Sequence, residues 1–412
     1  MKIFDSERKM QEWLSKELGR ADGLADLIDG LETLHVPEGC SWAEKAIWES
    51  YRIGTDSLNL TEILSEDENI SITRRESLRP DFVLYSAETE SIVLVELKNL
   101  AGATREAGTE LGAYAGEVRT AIPFLSDADL IHVVVSTEWP TLLRHYVSNE
   151  IIWNGRVVVC LQPTRNAEGE VSLRLVMPSE IVEDFGLLRI SERHLGGFQV
   201  CLYDQGLQVG TNDRSRLDGH LQQMRSGLQA MAAAGNARNG HGFAFLWRDS
   251  WKGSLAPYSI TVVNFCAYQT IERFLHLDIG RSVPLLVSKL LTVVQESQPQ
   301  GHGNALSEIT DSGTKLLEHF CSPRAEGFCS WRPLRDIMAG RAEFRSFSSW
   351  GLFASRFTEM LSTKYASGDL STQFDCPFLG IEVVDSLVDE TYPFIDVDHL
   401  DLDEFLGPLR DH

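Results

Sequence analysis

The chain has 412 residues, is 43% hydrophobic and carries a formal net charge of −23 at pH 7. That length and composition suit a globular protein of two or three domains. The acidic balance excludes a sequence-independent nucleic-acid coat, which needs a basic footprint. The longest apolar runs, such as "SIVLVELKNL" and "VPLLVSKLLTVV", are too short or too interrupted to span a bilayer. The charged start "MKIFDSERKMQEWLSKELG" has no apolar signal region. A cytoplasmic protein without a membrane partner is therefore expected. Seven cysteines are scattered without CxxC spacing, several of them in apolar runs, which points to reduced thiols rather than disulfides or a zinc site.

In chain order, the first 35 residues read as helix, an N-terminal segment over residues 1–40. "SWAEKAIWESYRIG" (41–54) is a second helix, with Ser41 as its cap and Gly54 as its stop. "NISITRRES", "PDFVLYS" and "SIVLVELKN" read as three strands. Then follow the helix "ATREAGTELGAYAGEVRTAI", the strand "ADLIHVVVST", the helix "PTLLRHYVSNEIIW" and the strands "RVVVCLQP" and "VSLRLVMP". The order α-β-β-β-α-β-α-β-β predicts a mixed α/β domain over residues 41–200. Residues 201–380 read as an α-rich α+β region. Its expected helices are "SRLDGHLQQMRSGLQAMAAA", "SVPLLVSKLLTVVQE", "SEITDSGTKLLEHFC" and "RSFSSWGLFASRFTEMLSTKY", and its strands "GFAFLWRD" and "YSITVVNFCAY". "MAAAGNARNGHG" (231–242) reads as a linker or loop. Residues 381–412 form an acidic tail that alternates acids with Phe, Tyr, Leu and Val, a pattern suited to docking on the protein itself or on a partner. Residues 201–380 are near neutral, so this stretch repels a phosphate backbone least.

Three charges interrupt the apolar hairpin of residues 79–100: Asp81, Glu96 and Lys98. Strand alternation puts Asp81 on one face with Val83 and Tyr85, and Glu96 and Lys98 on one face with Ile92 and Leu94. A solvent-facing Glu–Lys pair would leave Ile92 and Leu94 exposed, whereas "SIVLVEL" is apolar on both faces and suits a buried strand. Two carboxylates brought together by a hairpin repel each other unless a cation lies between them. Mg²⁺ takes oxygen ligands and keeps several waters. A lysine beside it can hold a water or face the charge of a phosphorane, and together these are the parts for metal-assisted phosphodiester hydrolysis.

"PD" followed after fourteen residues by "ELK" resembles the motif of the PD-(D/E)xK nuclease superfamily. The resemblance covers roughly residues 41–160 and implies a restriction-endonuclease-like α-β-β-β-α-β core, followed here by the C-terminal α-rich α+β region. It implies Asp81 and Glu96 as metal ligands, with the Leu97 carbonyl, for Mg²⁺ or Mn²⁺. Lys98 would position or activate the attacking water. Members often carry an acid in the helix before the first strand, a place matched by Glu44, with Glu49 as the competitor. Many carry Gln-x-x-x-Tyr in the next helix; "ELGAY" supplies Tyr114, but Glu110 stands where glutamine is expected. The implied function is a metal-dependent nuclease acting on DNA rather than RNA, with bacterial antiviral defence as a role by fold-level analogy. The alternatives are a scaffold that keeps the nuclease fold without cutting, and a nuclease active only with a partner bound through the C-terminal half or the acidic tail. A homodimer is a further option, since many nucleases that cut both strands are dimers.

Arg74, Arg75 and Arg79 precede the motif and are candidates for phosphate contacts, a solvated strand edge being the other reading. Arg105 and Arg119 on the following helix have the same two readings, and Tyr114 is a candidate for substrate contact or for core packing. His132 in "LIHVVVS" reads as a core histidine. "RNGHGFAFLWRDSWKG" interleaves basic residues with Trp247 and Trp251, a pattern that stacks bases or forms a strand and its turn. No GxSxG elbow, Walker A loop, HExxH or GxGxxG is present.

Overall fold

Two sheets collect the apolar strands, one in each of two units, Met1–Leu187 and Leu188–His412. The computed structural model describes residues 3–31, 34–37, 40, 42–73, 77–99, 104–165, 169–182, 192, 195–204, 215–266, 285–286, 289, 293 and 303–388. The protein is a mixed α/β chain with a seven-stranded mixed sheet and a five-stranded antiparallel sheet.

In the first unit, α1 (Glu7–Leu18) and the short β1 (Ile28–Asp29) are followed by α2 (Trp42–Asp56), β2 (Thr61–Glu66), β3 (Phe82–Ser86) and β4 (Ser91–Lys98). Then come α3 (Thr104–Ala121), β5 (Leu130–Ser136), α4 (Thr141–Ser148), β6 (Val158–Arg165), β7 (Val171–Leu175) and the single turn α5 (Pro178–Ile181). The strand order is β1-β7-β6-β5-β4-β3-β2. β4, β5 and β6 run parallel, and "LIHVVVS" of β5 is buried along its whole length, as a strand covered on both faces requires. α1 packs on β4 and α2 on β6. α2 is pinned there by Ser50 Oγ donating to the Val158 carbonyl and Tyr51 Oη donating to the Val176 carbonyl, both at 2.9 Å.

The second unit contains β8 (Leu195–Tyr203), α6 (Leu221–Ala237), β9 (Gly242–Asp249), β10 (Tyr258–Phe265) and α7 (Asn304–Leu317). β11 (Ser322–Ser330), α8 (Trp331–Arg341), β12 (Ala342–Trp350), α9 (Leu352–Ala366) and α10 (Pro377–Leu387) complete it. The order is β11-β8-β10-β9-β12. Alternation on β9 divides the core. Ala244 and Leu246 pack with Met224, Leu228 and Ile309 of α6 and α7, while Phe243, Phe245 and Trp247 pack with Trp331, Phe353 and Val383 of α8, α9 and α10.

Several expectations change. The first strand of the hairpin sheet is Thr61–Glu66 rather than "NISITRRES": residues 69–73 and 77 form no strand, and 74–76 lie outside the described residues. Among the described residues β2 has one neighbour, β3, and it leaves Ile63 and Leu64 exposed, so the burial alternation that marks a strand is missing there. Residues 1–40 are no separate segment, because Met10, Leu14 and Leu18 share the core of the seven-stranded sheet. "MAAAGNARNGHG" is largely the end of α6; its Gly235 lies flat against the Trp350 indole, where a Cβ would clash. "RSFSSWGLFASRFTEMLSTKY" is half strand: β12 runs to Trp350, and Gly351 with φ +59° turns the chain into α9. The break between units falls before β8 rather than at residue 200. The tail begins later than residue 381, since Val383 and Val384 of α10 are core; residues 389–412 lie outside the described residues, as does most of "SVPLLVSKLLTVVQE". β8, β11 and α8 were not anticipated. Among the described residues, no helix is long and apolar enough to cross a membrane.

Candidate active site

β3 and β4 pair with Phe82 opposite Val95 and Val83 opposite Leu94, a register that, continued one step beyond β3, brings Asp81 towards Glu96. Directly opposed residues share a face, with Cβ atoms about 5 Å apart. Asp81 Oδ2 accepts the Leu97 N–H at 2.7 Å. Lys98 Nζ donates to Glu96 Oε1 at 2.5 Å and to Glu110 Oε2, from α3, at 2.9 Å. Glu96 and Lys98 are 3% and 4% exposed, because β4 lies between β3 and β5. The other oxygen, Glu96 Oε2, is buried and has no hydrogen-bond partner among the described residues.

The electrostatics follow from this crowding. Burial pushes Asp81 up to about 6; the Leu97 N–H and Lys98 work against it, and the charges of Glu7 and Glu110 add to it. Glu96 is pushed up to about 9, by burial first and by Asp81 next, with Lys98 only partly offsetting them. Burial pulls Lys98 down, but Glu96 and Glu110 outweigh it, so the ammonium is held above its usual range. Three carboxylates around one ammonium leave the site short of positive charge, and a bound cation reverses the direction of such shifts.

The same geometry bears on whether these residues suit a divalent ion. Among the described residues, no group of three or more His, Cys, Asp and Glu side chains forms a ready cage for a metal. Mg²⁺ does not need one, since it is held by one or two carboxylates and keeps several waters. Glu96 Oε2, without a hydrogen-bond partner among the described residues, and the crowded Asp81–Glu96 pair supply hard oxygen donors. The donor set fits.

The remaining candidates divide. Tyr114 Oη donates to the Arg79 carbonyl at 3.0 Å and its side chain is buried, so it ties α3 to the segment before β3. Arg79 donates to the Asp67 carbonyl and to Ser77 Oγ, each at 3.1 Å. Arg74 and Arg75, and the side chain of Arg105, lie outside the described residues. Arg119 pairs with Asp127. His132 is buried in β5, and burial, then Arg156 and Arg119, pull it down to about 4. Glu44 stands on α2, which packs on β6, and it is not among the main charges that act on Asp81 and Glu96. Glu49 pairs with Arg52 at 2.9 Å.

A helix acid whose charge acts on Asp81 is Glu7, the first residue of α1. Its Oε2 accepts the Asn99 N–H at 3.3 Å, and Asn99 Nδ2 donates to the Phe4 carbonyl at 3.3 Å. An acid in a first helical turn is favoured by the helix dipole anywhere, so its sequence position carried no signal. The one available signal for Glu110 was its place at the expected glutamine. A cleft of about 950 Å³ opens between α1 and the end of β2 with Asp81 on its wall; Glu7, Glu12, Glu66, Asp67 and Glu68 line it, and Arg8 is its cation.

Against protein-family models, curated proteins and solved structures, the chain has no match.

Proposed function

We propose that the protein is a metal-dependent nuclease of the PD-(D/E)xK type with a restriction-endonuclease-like core, acting on DNA rather than RNA. The observation that carries this reading is Asp81 bonded to the Leu97 N–H beside buried Glu96, with Lys98 Nζ 2.5 Å from Glu96 Oε1 and Glu96 Oε2 left without a hydrogen-bond partner among the described residues. The succession α2, β2, β3, β4, α3, β5 supports it, being the order the resemblance implies.

Asp81, Glu96 and the Leu97 carbonyl would hold Mg²⁺ or Mn²⁺. Such an ion, when bound, polarises the scissile phosphate and lowers the pKa of a water. Lys98 stays an ammonium between Glu96 and Glu110, so its part is to orient the water and to face the negative charge developing on phosphorus. Glu110 is a positioning residue that holds Lys98 from the α3 side. Glu7 adds negative charge beside Asp81.

The acidic cleft favours one variant of this reading, a nuclease whose activity needs a basic partner to cover those carboxylates. The test is cleavage of supercoiled, linear, single-stranded and branched DNA and of RNA, in Mg²⁺, Mn²⁺ or EDTA, beside Lys98→Ala and Glu96→Gln. Metal-dependent cutting lost in both variants is expected. Cutting that survives either substitution sinks the assignment of the site, and a folded protein silent on every substrate leaves the non-cutting scaffold or the partner-dependent enzyme.

A further inference from the structure

We propose that the turn between β9 and β10 is a stacking site for an unpaired nucleobase, built on Trp251, which makes single-stranded nucleic acid the substrate class. Trp251 is 59% exposed, yet it is restrained from several sides. Its N–H donates to Asp249 Oδ1 at 2.9 Å and its carbonyl accepts the Ser254 N–H at 3.1 Å. The Arg341 guanidinium lies 5.0 Å from the ring centroid. Gly253 approaches so closely that a Cβ there would lie 2.7 Å from the indole Cζ2. Arg341 is itself fixed: its Nε donates to Asp249 Oδ1 at 3.1 Å, its Nη2 donates to Asp249 Oδ2, and its carbonyl accepts the Ser250 N–H at 2.9 Å. One buried carboxylate, Asp249 at 4% exposure, thus holds both the backbone under the indole and the cation against it.

Ordering a large side chain costs entropy, which burial of its surface normally offsets. Here more than half of the residue stays in water although the ring is held by Arg341 and Gly253. A ring already held in place binds a planar ligand without that ordering cost. Arg341 against the ring disfavours a cationic ligand, and a base carrying a phosphate suits it. Lys252 beside the ring is exposed and has no carboxylate partner among the described residues, so it can meet that phosphate. Residues 201–380 are near neutral, unlike the cleft beside Asp81, so phosphates are less opposed here. A base must leave its duplex neighbours to lie on the indole, hence the single strand. The choice of a nucleobase over another planar ring rests on the nuclease reading.

The test uses the full chain in EDTA, where nothing is cut, and follows the anisotropy of fluorescein-labelled oligothymidine. Trp251→Ala should weaken binding about tenfold, Trp251→Phe should recover most of it, and duplex DNA should compete poorly. Lys252→Glu should weaken binding and flatten its salt dependence. If Trp251→Ala lowers the melting temperature, indole emission decides: oligothymidine should quench the wild type more than Trp251→Phe. No binding, equal binding by Trp251→Ala, or equal quenching overturns the stacking site, and duplex binding as tight as the single strand overturns the substrate class. Because no metal is present, failure here is separate from failure of the cleavage panel.

Discussion

Replacing Glu96 by glutamine should make the metal-free protein more stable and the metal-loaded protein less so. In the absence of metal, the folded state raises Glu96 from 4.5 to about 9, through burial and the charge of Asp81. A folded carboxyl raised in this way binds more protons than the unfolded one between those two values. Its contribution to stability is full below pH 4.5 and is lost as pH rises towards 9. At pH 7.5 this corresponds to about 4 kcal/mol of lost stability. Glutamine keeps the shape without the titration, but it leaves Lys98 with Glu110 as its carboxylate partner. That loss offsets part of the gain, so a net rise of about 1–2 kcal/mol is expected, or roughly 2–8 °C in Tm for a unit of this size. Saturating metal acts in the opposite sense. At a hundredfold excess over Kd the wild type gains about 2.7 kcal/mol, roughly 5–10 °C, and Glu96→Gln gains nothing. Scanning calorimetry in EDTA and in MnCl₂ should therefore show the two melting curves change places. An equal metal-induced rise in both proteins, or a Glu96→Gln protein less stable in EDTA, would refute the reasoning.

Two other expectations concern the same unit. Glu110→Gln should retain most of the cutting, because its side-chain oxygen still accepts from Lys98, whereas Glu110→Leu should lower kcat about tenfold or more with little change in KM. Equal rates for the two variants would remove Glu110 from the positioning of Lys98. His132 is held at about 4 against an ordinary 6.5, so the unfolded chain takes the extra proton between these values. Its contribution is present above pH 6.5 and lost as pH falls through 4, by about 3 kcal/mol in all. Urea midpoints from pH 7 to 4.5 should fall less steeply for His132→Leu than for the wild type, and parallel curves would contradict the burial argument.

Asp81, Glu96 and Lys98 were legible in the sequence because their arrangement is local. A strand has period two, a short turn sets the register of a hairpin, and residues 81 to 98 contain everything needed to put the three side chains on one face. The burial of β4 was legible too, from a run apolar on both faces. The helix acid was not. Glu44 and Glu7 both stand in the first turn of an amphipathic helix, and no pattern within either helix says which one lies over β4. Packing decided it: α2 went to β6 through Ser50 and Tyr51, and α1 went to β4 through a contact between residues 92 positions apart. The same holds in the second unit, where Gly235 reads as a loop residue until the Trp350 indole lies against it. Hydrophobic periodicity records the geometry of one element and the side it buries. Which elements meet, and which charges are thereby crowded into one place, depends on contacts between distant segments, and these exist only once the chain has folded.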